Sequence, residues 1–222
     1  MVVIKYSKTD EGAFFSHLNM LRLWNRILSI ADIDVKYTEG FNKTRRIYFS
    51  SPTRVGVESL AEYIVIDTQE SKNKVESKIE NVLPSWMKVL KVYQVENKFN
   101  IASLNSQAKY KISFDGYKNK IGQIQDFFNK KELITPVIAH GEKRQIDVKD
   151  RIYEVVVNDK SLELKCGVGN NSVRIDEVVK LLLQYLGIPQ SQWTIVKEEL
   201  YLTNQEGIIE EVDRALETLK KD

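Results

Sequence analysis

The sequence predicts an α+β protein made of two tandem ferredoxin-like lobes, each a split βαβ unit with an antiparallel sheet, and an extra C-terminal helix. Three observations lead to this prediction. The same order of strand-like and helix-like patterns occurs twice, a polar stretch without strong periodicity separates the two occurrences at 96–107, and the end carries a further amphipathic pattern. We therefore place the lobes at 1–97 and 108–222. They share an order of elements but little residue identity, so the repeat is topological.

The first lobe begins with the strand-like VVIKYSK and the helix-like SHLNMLRLWNRILSIAD, which the Ser16 hydroxyl can cap. Apolar residues at steps of three and four predict one buried stripe on this helix. The stripe consists of Phe14, Leu18, Leu21, Trp24, Leu28 and Ala31. The opposite, polar arc must face water or a partner. It consists of Asn19, Arg22, Asn25, Arg26 and Ser29.

The remaining elements follow from strand propensity, helical periodicity and the breakers between them. In the first lobe they are an extended RRIYFSS, the strand SLAEYIVIDT, the helix SKNKVESKIENVL before Pro84 and the strand MKVLKVYQV. In the second lobe they are KYKISF, KIGQIQDFFNKK, ITPVIAH, DRIYEVVVND, SLELKCGV, IDEVVKLLLQYLG and WTIVKEELYL. For the added terminal helix, Thr203 and Glu206 have the spacing of a capping box. Its predicted apolar stripe is Ile209, Val212, Leu216 and Leu219.

Composition excludes several kinds of site. With one cysteine, Cys166, the chain has no internal disulfide and no cysteine cluster for zinc or for iron and sulfur. Its two histidines lie far apart without carboxylates at ligand spacing, so we expect neither a metal nor another cofactor. No apolar run approaches the roughly 18 residues of a membrane helix, and no signal peptide is evident. We expect a cytoplasmic protein.

The segment EGFNKTRRIYFSSPTRVGVES, residues 39–59, concentrates basic residues in a chain whose formal net charge is only +2. Arginine and lysine side chains neutralise phosphates, and several close together give affinity that falls with salt. Arg22 and Arg26 on the first helix could extend the same surface. The predicted RNA- or phosphate-binding residues are His17, Arg22, Arg26, Asn42, Lys43, Arg45, Arg46 and Arg54. The alternative, a solvated face with each charge paired to a nearby acid, stays open.

His17 follows the capping serine, where an imidazole could bind phosphate or transfer a proton. With no nucleophile or second base beside it in sequence, binding or a structural role is favoured over catalysis. His140, in HGEK, is interpreted as an exposed loop residue, and GVGNN at 167–171 as a turn, because it lacks the Walker lysine and the dinucleotide fingerprint.

Several motifs together resemble a known family. YSKTDEGAFFSHLNMLRLWNRIL, YTEGFN, RIYFSSPTRVGVES and EYIVID are similar to the uncharacterised radical-SAM-linked proteins, which are encoded beside or fused to cobalamin-binding radical SAM proteins. The family's SHL element falls on Ser16–Leu18, and its GFN turn on residues 40–42. Relatives tend to follow that turn with prolines and a histidine, whereas Lys43, Thr44, Arg45 and Arg46 stand here. The resemblance implies a radical SAM partner protein. This chain lacks the cysteine triad, so radical chemistry would belong to that separate chain.

These inferences favour a non-catalytic accessory module that binds structured RNA, of the tRNA or rRNA kind, for a radical SAM enzyme. The aromatic residues Tyr37, Phe41, Tyr48 and Phe49 could stack on bases, although Phe49 is better explained as core. One alternative is a metal-independent endoribonuclease resembling the CRISPR repeat-processing proteins, with His17 as general acid or base. Another is an adaptor that binds only protein. A pseudouridine synthase is less favoured, because its arginine-and-aspartate motif is not visible.

Overall fold

The structure, a computed structural model, describes residues 1–95, 100–114, 117–139, 142–159, 161–189, 193–204 and 206–219. It is a mixed α+β protein whose strands pair mostly in antiparallel fashion. The chain divides into two compact units, Met1–Asn105 with Glu199–Asp222, and Ser106–Glu198. The α+β class is confirmed, and the tandem ferredoxin-like arrangement stays a prediction. The division groups the end of the chain with the first unit, whereas the predicted lobes at 1–97 and 108–222 group it with the second.

The first unit follows the predicted order of strand, helix, two strands, helix and strand, and a short helix comes after it. Its elements are β1 (Val2–Lys8), α1 (His17–Ile30), β2 (Ile47–Phe49), β3 (Glu58–Ile66), α2 (Lys72–Ile79), β4 (Val89–Gln94) and α3 (Ile101–Leu104). β1 lies between β3 and β4 and is antiparallel to both, while β2 pairs antiparallel with β3. The predicted linker at 96–107 contains α3 and the start of the next strand, and its residues 96–99 lie outside the described part of the chain.

The core of the first unit forms where α1 and α2 pack on one face of this sheet. Alternate residues of β1 and β3 reach this core, as the two-residue period of a strand requires. The Ser16 side chain accepts a hydrogen bond from the Asn19 backbone, which confirms the predicted N-cap. The predicted stripe is wrong for Phe14 and Leu18, which are exposed. Phe14 belongs to a short 3-10 turn before α1, so the helical period does not extend back to it. The residues of α1 that are buried are Met20, Trp24, Ile27 and Leu28.

The second unit is richer in strands. Its elements are β5 (Asn105–Phe114), α4 (Ile121–Phe128), β6 (Ile134–Ala139), β7 (Glu142–Asp147), β8 (Ile152–Val157), β9 (Leu162–Gly167), α5 (Ile175–Leu186) and β10 (Trp193–Thr203), whose residues from Glu199 onward belong to the first unit. β9 pairs antiparallel with β5 and β8, and β6 and β7 form a separate two-stranded sheet. Sequence analysis missed β7, because its polar residues lack apolar alternation. Gly187 ends α5 in the left-handed conformation, as expected of a helix-terminating glycine. His140 lies outside the described residues.

Cys166 is completely buried in β9, opposite Ala108 of β5. Burial raises the pKa of its thiol to about 12. Because only the thiolate reacts, we expect labelling of the native protein by a thiol reagent at pH 8 to be about 10³-fold slower than labelling in denaturant. Colorimetric thiol titration measures both rates. Equal rates would show that the strand opens freely or that the thiol is accessible.

The chain end adds a strand and a helix to the first unit, β11 (Ile209–Glu211) and α6 (Val212–Thr218). The helix begins later than the predicted capping box, because Thr203 is the last residue of β10 and Glu211 occupies the cap position without a side-chain cap bond. The predicted stripe is confirmed at Val212 and Leu216, which are buried, and wrong at Ile209 and Leu219, which are exposed.

A buried network of charges holds α6 against the first unit. The Lys5 ammonium of β1 donates to Asp213 of α6 at 3.0 Å and contacts Glu199 at 3.3 Å. The Tyr63 hydroxyl donates to the other oxygen of Asp213 at 2.9 Å. Burial, and then the negative charges of Asp213 and Glu199, raise the pKa of Tyr63, so it stays a donor. At the rim, the half-exposed Lys91 lies 3.2 Å from Asp213.

Burial alone would raise the pKa of the Asp213 carboxyl. Hydrogen bonds from Tyr93, Lys5 and Tyr63, together with the positive charge of Lys5, outweigh that effect and hold the pKa below its ordinary value. Asp213 is therefore ionised at neutral pH, and the hydrogen-bond donors and positive charges around it stabilise its negative charge. We call Lys5, Tyr63, Lys91, Glu199 and Asp213 the α6 network.

Candidate functional site

The basic segment forms a hairpin between residues 37 and 45. Tyr37 and Arg45 are paired as an isolated antiparallel bridge. One residue closer to the tip, the Thr38 backbone N–H donates to the Thr44 carbonyl at 2.8 Å, and the Thr44 N–H donates to the Thr38 hydroxyl at 3.0 Å. Gly40 turns the chain with a φ of +115°, a conformation that favours glycine. These contacts make the hairpin a defined element without long strands.

The tip of this hairpin presents Phe41, Asn42 and Lys43 to solvent. Phe41 is fully exposed, with a relative accessibility of 102%. The turn that carries this ring is held by hydrogen bonds, and the ring itself packs against no other part of the described chain. It is therefore available to a partner, and an exposed aromatic ring suits a nucleobase.

Arg45 joins the hairpin to α1. Its guanidinium donates to the Asn25 carbonyl at 3.0 Å and to the Ser29 hydroxyl at 2.8 Å. The same group lies 5.8 Å from the centre of the Tyr37 ring. All of these partners are neutral. The positive charge is thus positioned by hydrogen bonds without being cancelled.

Arg22 and Arg26 are exposed on the same side of α1 as Asn25 and Ser29, since residues three and four apart share a helix face. The structure thus brings together Arg45 and the two helix arginines, and we call these three residues the cationic face. Within the described part of the chain, neither they nor Lys43 at the tip form an ion pair with a carboxylate.

Unlike Arg45, Arg46 contacts carboxylates and not α1. Its guanidinium lies 3.6 Å from Asp67 and 4.0 Å from Glu39, and Lys36 lies 3.4 Å from Asp67. Consecutive residues of an extended segment face opposite sides, so Arg45 and Arg46 cannot share a surface here. For Arg46 the structure therefore agrees with the alternative that the sequence left open, a charge paired to nearby acids.

Arg54 lies in a different turn. It is exposed, and its carbonyl accepts from the Val57 N–H, while Gly56 donates to Ala13. This turn is anchored to the 3-10 segment before α1, so Arg54 is not part of the hairpin.

His17 is the first residue of α1 and is exposed, with its ring edge-on to Phe49 at 5.4 Å. Phe49 packs against the core of the first unit, as the sequence indicated. Behind His17 is a cavity of about 10 Å³, the size of one water molecule, lined also by the buried Tyr6, Lys8 and Thr53. The Thr53 hydroxyl is buried and forms no hydrogen bond with the described residues. Sequence reasoning missed this polar cluster. Polar side chains within otherwise apolar strands are the feature of the sequence that could have indicated it.

Two larger grooves flank the pair Arg46 and Asp67. One, of about 420 Å³, is lined by Met1, Thr38, Glu39, Arg46, Tyr48, Asp67 and Asn100. The other, of about 480 Å³, is lined by Met1, Lys36, Arg46, Asp67, Thr68, Gln69, Gln94 and Val95. They share Met1, Arg46 and Asp67, and we call them together the trough. Sequence analysis had no signal for it, because its walls come from four separate segments.

In the part of the chain that the structure describes, no helix combines the length and the apolarity needed to cross a membrane. The same residues contain no group of three or more histidine, cysteine or acidic side chains placed to hold a metal ion.

Comparison with known families gives one finding. Residues 2–180 match the model of a family described as "Uncharacterized protein conserved in bacteria (DUF2344)". No curated protein matches the chain.

Proposed function

We propose that this chain, which belongs to the bacterial DUF2344 family, is a non-catalytic RNA-binding module that serves a separate radical SAM enzyme. One observation carries the RNA-binding part. Arg45 is held by neutral partners on the helix face that carries Arg22 and Arg26. Cations positioned in this way, without carboxylates to cancel them, can displace the counterions of a phosphate backbone.

The hairpin tip adds a second element of recognition. Phe41 and Lys43 are both exposed at this tip, so a ring for base stacking and an ammonium for a phosphate are available to the same RNA. Phosphates of neighbouring nucleotides would contact the cationic face. Such binding reads the shape and the unpaired parts of an RNA more than the sequence of a duplex.

The radical SAM partner is supported by the resemblance of the motifs alone. The chain's single cysteine is buried in β9, so this polypeptide supplies no cysteine triad for an iron–sulfur cluster. The radical step would then be carried out by the partner, and this chain would present the RNA.

The test is a binding titration with a structured RNA across a salt series. The variant Arg22→Ala/Arg26→Ala/Arg45→Ala should bind about tenfold or more weakly at low salt, and its log–log salt slope should be smaller by roughly two. The variant Lys118→Ala/Lys131→Ala/Arg214→Ala is the matched control, because it removes three exposed charges elsewhere. It should bind like the wild type.

Absence of RNA binding, or equal affinity of the two triple variants, would contradict the proposal. The exposed His17 beside its polar cavity favours one competing function, a metal-independent endoribonuclease. RNA cleavage in chelator that His17→Ala abolishes would replace a binding module with that enzyme. Copurification with protein and without nucleic acid would favour an adaptor.

A further inference from the structure

The trough differs in charge from the cationic face, although the two lie on opposite sides of one short segment. Asp67 is buried and forms ion pairs with both Lys36 and Arg46. The exposed carboxylate of Glu39 lies 4.0 Å from the Arg46 guanidinium. These two side-chain cations and two carboxylates balance one another, and the Met1 ammonium, which also lines the trough, donates to the Val95 carbonyl at 2.9 Å. An uncharged polar ligand therefore meets both hydrogen-bond donors and acceptors there.

Tyr48 supplies a flat apolar surface in the trough. It alternates along β2 with Ile47 and Phe49, which pack against the core, so its ring is directed away from α1. The ring is 42% exposed and lines the groove of about 420 Å³. A space of this size holds a nucleoside, and an exposed tyrosine ring is a common stacking surface for a base.

Polar groups surround that ring. The guanidinium of Arg46 is held in place by Asp67, and the carboxylate of Glu39 is exposed. Asn100 also lines this groove. Its side-chain oxygen accepts from the Ser103 backbone N–H at 3.4 Å, so its amide group offers a further hydrogen-bond donor, the side-chain nitrogen. Donors and an acceptor at the edge of a stacking surface match the hydrogen-bonding edge of a base.

We propose that the trough binds an unpaired nucleobase, stacked on Tyr48 with its polar edge toward Arg46, Glu39 and Asn100. This inference rests on the proposed function, because it assigns the base of a strand whose phosphates contact the cationic face. The hairpin 37–45 contributes to both surfaces, with Thr38 and Glu39 in the trough and Arg45 in the cationic face, and its tip carries Phe41. A single strand would cross this tip, whereas a continuous duplex would not separate its bases from its phosphates in this way.

The probes are the four ribonucleosides, which carry no phosphate and so test the trough independently of the cationic face. Saturation-transfer NMR should show transfer to the base protons of at least one nucleoside. The signal should fall about fivefold or more in Tyr48→Leu, because one base–aromatic stack is lost. It should persist in Tyr48→Phe, which keeps the ring.

Tyr153→Leu is the matched control, since Tyr153 is a strand tyrosine of the second unit with 45% exposure. No transfer to any nucleoside, or equal loss in Tyr48→Leu and Tyr153→Leu, would overturn the base site. If RNA still bound through the three arginines, the proposed function would survive that result. If nucleosides bound at Tyr48 and RNA did not bind, the base site would stand and the RNA-binding function would fall.

Discussion

Replacement of Lys5 by methionine is expected to lower the free energy of unfolding of the first unit by about 3–5 kcal/mol. Methionine fills a similar volume, so the effect isolates the charge. In the wild type, Lys5 is buried and contacts both Asp213 and Glu199. Without it, two carboxylates lie close together with only partial compensation. Equilibrium unfolding in urea, followed by circular dichroism, measures the change.

Lys91→Met is the control, because Lys91 is bound to the same carboxylate from the rim. Its side chain is about half exposed, and it lies 3.2 Å from Asp213. An exposed pair contributes about 1 kcal/mol or less, because water already solvates the ammonium. Equal losses in Lys5→Met and Lys91→Met would mean that the α6 network is not desolvated as the structure indicates.

Acid titration of the wild type checks the same network. The pKa of Asp213 is lower in the folded protein than its ordinary value near 3.9. Its contribution to the free energy of unfolding is therefore complete above that ordinary value, and it is lost as the pH falls through the folded pKa. Stability should therefore decline as the pH falls below about 4. Asp213→Asn should show a shallower decline. Identical acid profiles would contradict the assigned ionisation.

Replacement of Gly12 by alanine is expected to destabilise the first unit by about 1–3 kcal/mol, through overpacking. A Cβ at this position would meet the ring of Trp86, with Cζ3 at 2.8 Å and Cδ2 at 2.9 Å. The ring is also held against Phe15, at 4.7 Å between centroids. Neither the ring nor the 3-10 turn of Gly12 can move without disturbing the chain just before α1. Urea unfolding measures the loss.

Gly122→Ala is the matched substitution, because Gly122 is exposed near the start of α4 and open space surrounds its added Cβ. Alanine is the better helix former, so this variant should be more stable than the wild type, by up to about 1 kcal/mol. A destabilised Gly122→Ala, or a neutral Gly12→Ala, would show that the contact with Trp86 does not govern the Gly12 position.

Much of the fold was predictable because its signals are local. The Ser16 cap, the left-handed Gly187 and the helices α1 and α5 follow from residue type and spacing within one or two turns. The errors arose where a local pattern was extended too far. Phe14 was assigned to the period of a helix that begins after it, and Thr203 was assigned to a helix although it ends a strand.

The candidate site was predictable in part. The sequence predicted that Arg22 and Arg26 could extend the surface that contains Arg45, and it favoured Phe49 as a core residue. It could not separate Arg45 from Arg46, because their roles depend on which side of an irregular segment meets α1 and which meets Asp67. The trough had no sequence signal for the same reason.

Residue types and their spacing are enough to predict the secondary structure of most segments, to exclude an internal disulfide or a cysteine cluster, and to locate the concentration of positive charge near residue 45. Which of those charges are neutralised, and which residues hold α6 in place, depends on contacts that form when the chain folds. Lys5 and Asp213 are separated by 208 positions. Such pairs depend on the packing of distant segments, whereas caps, turns and helical periods depend on neighbours along the chain.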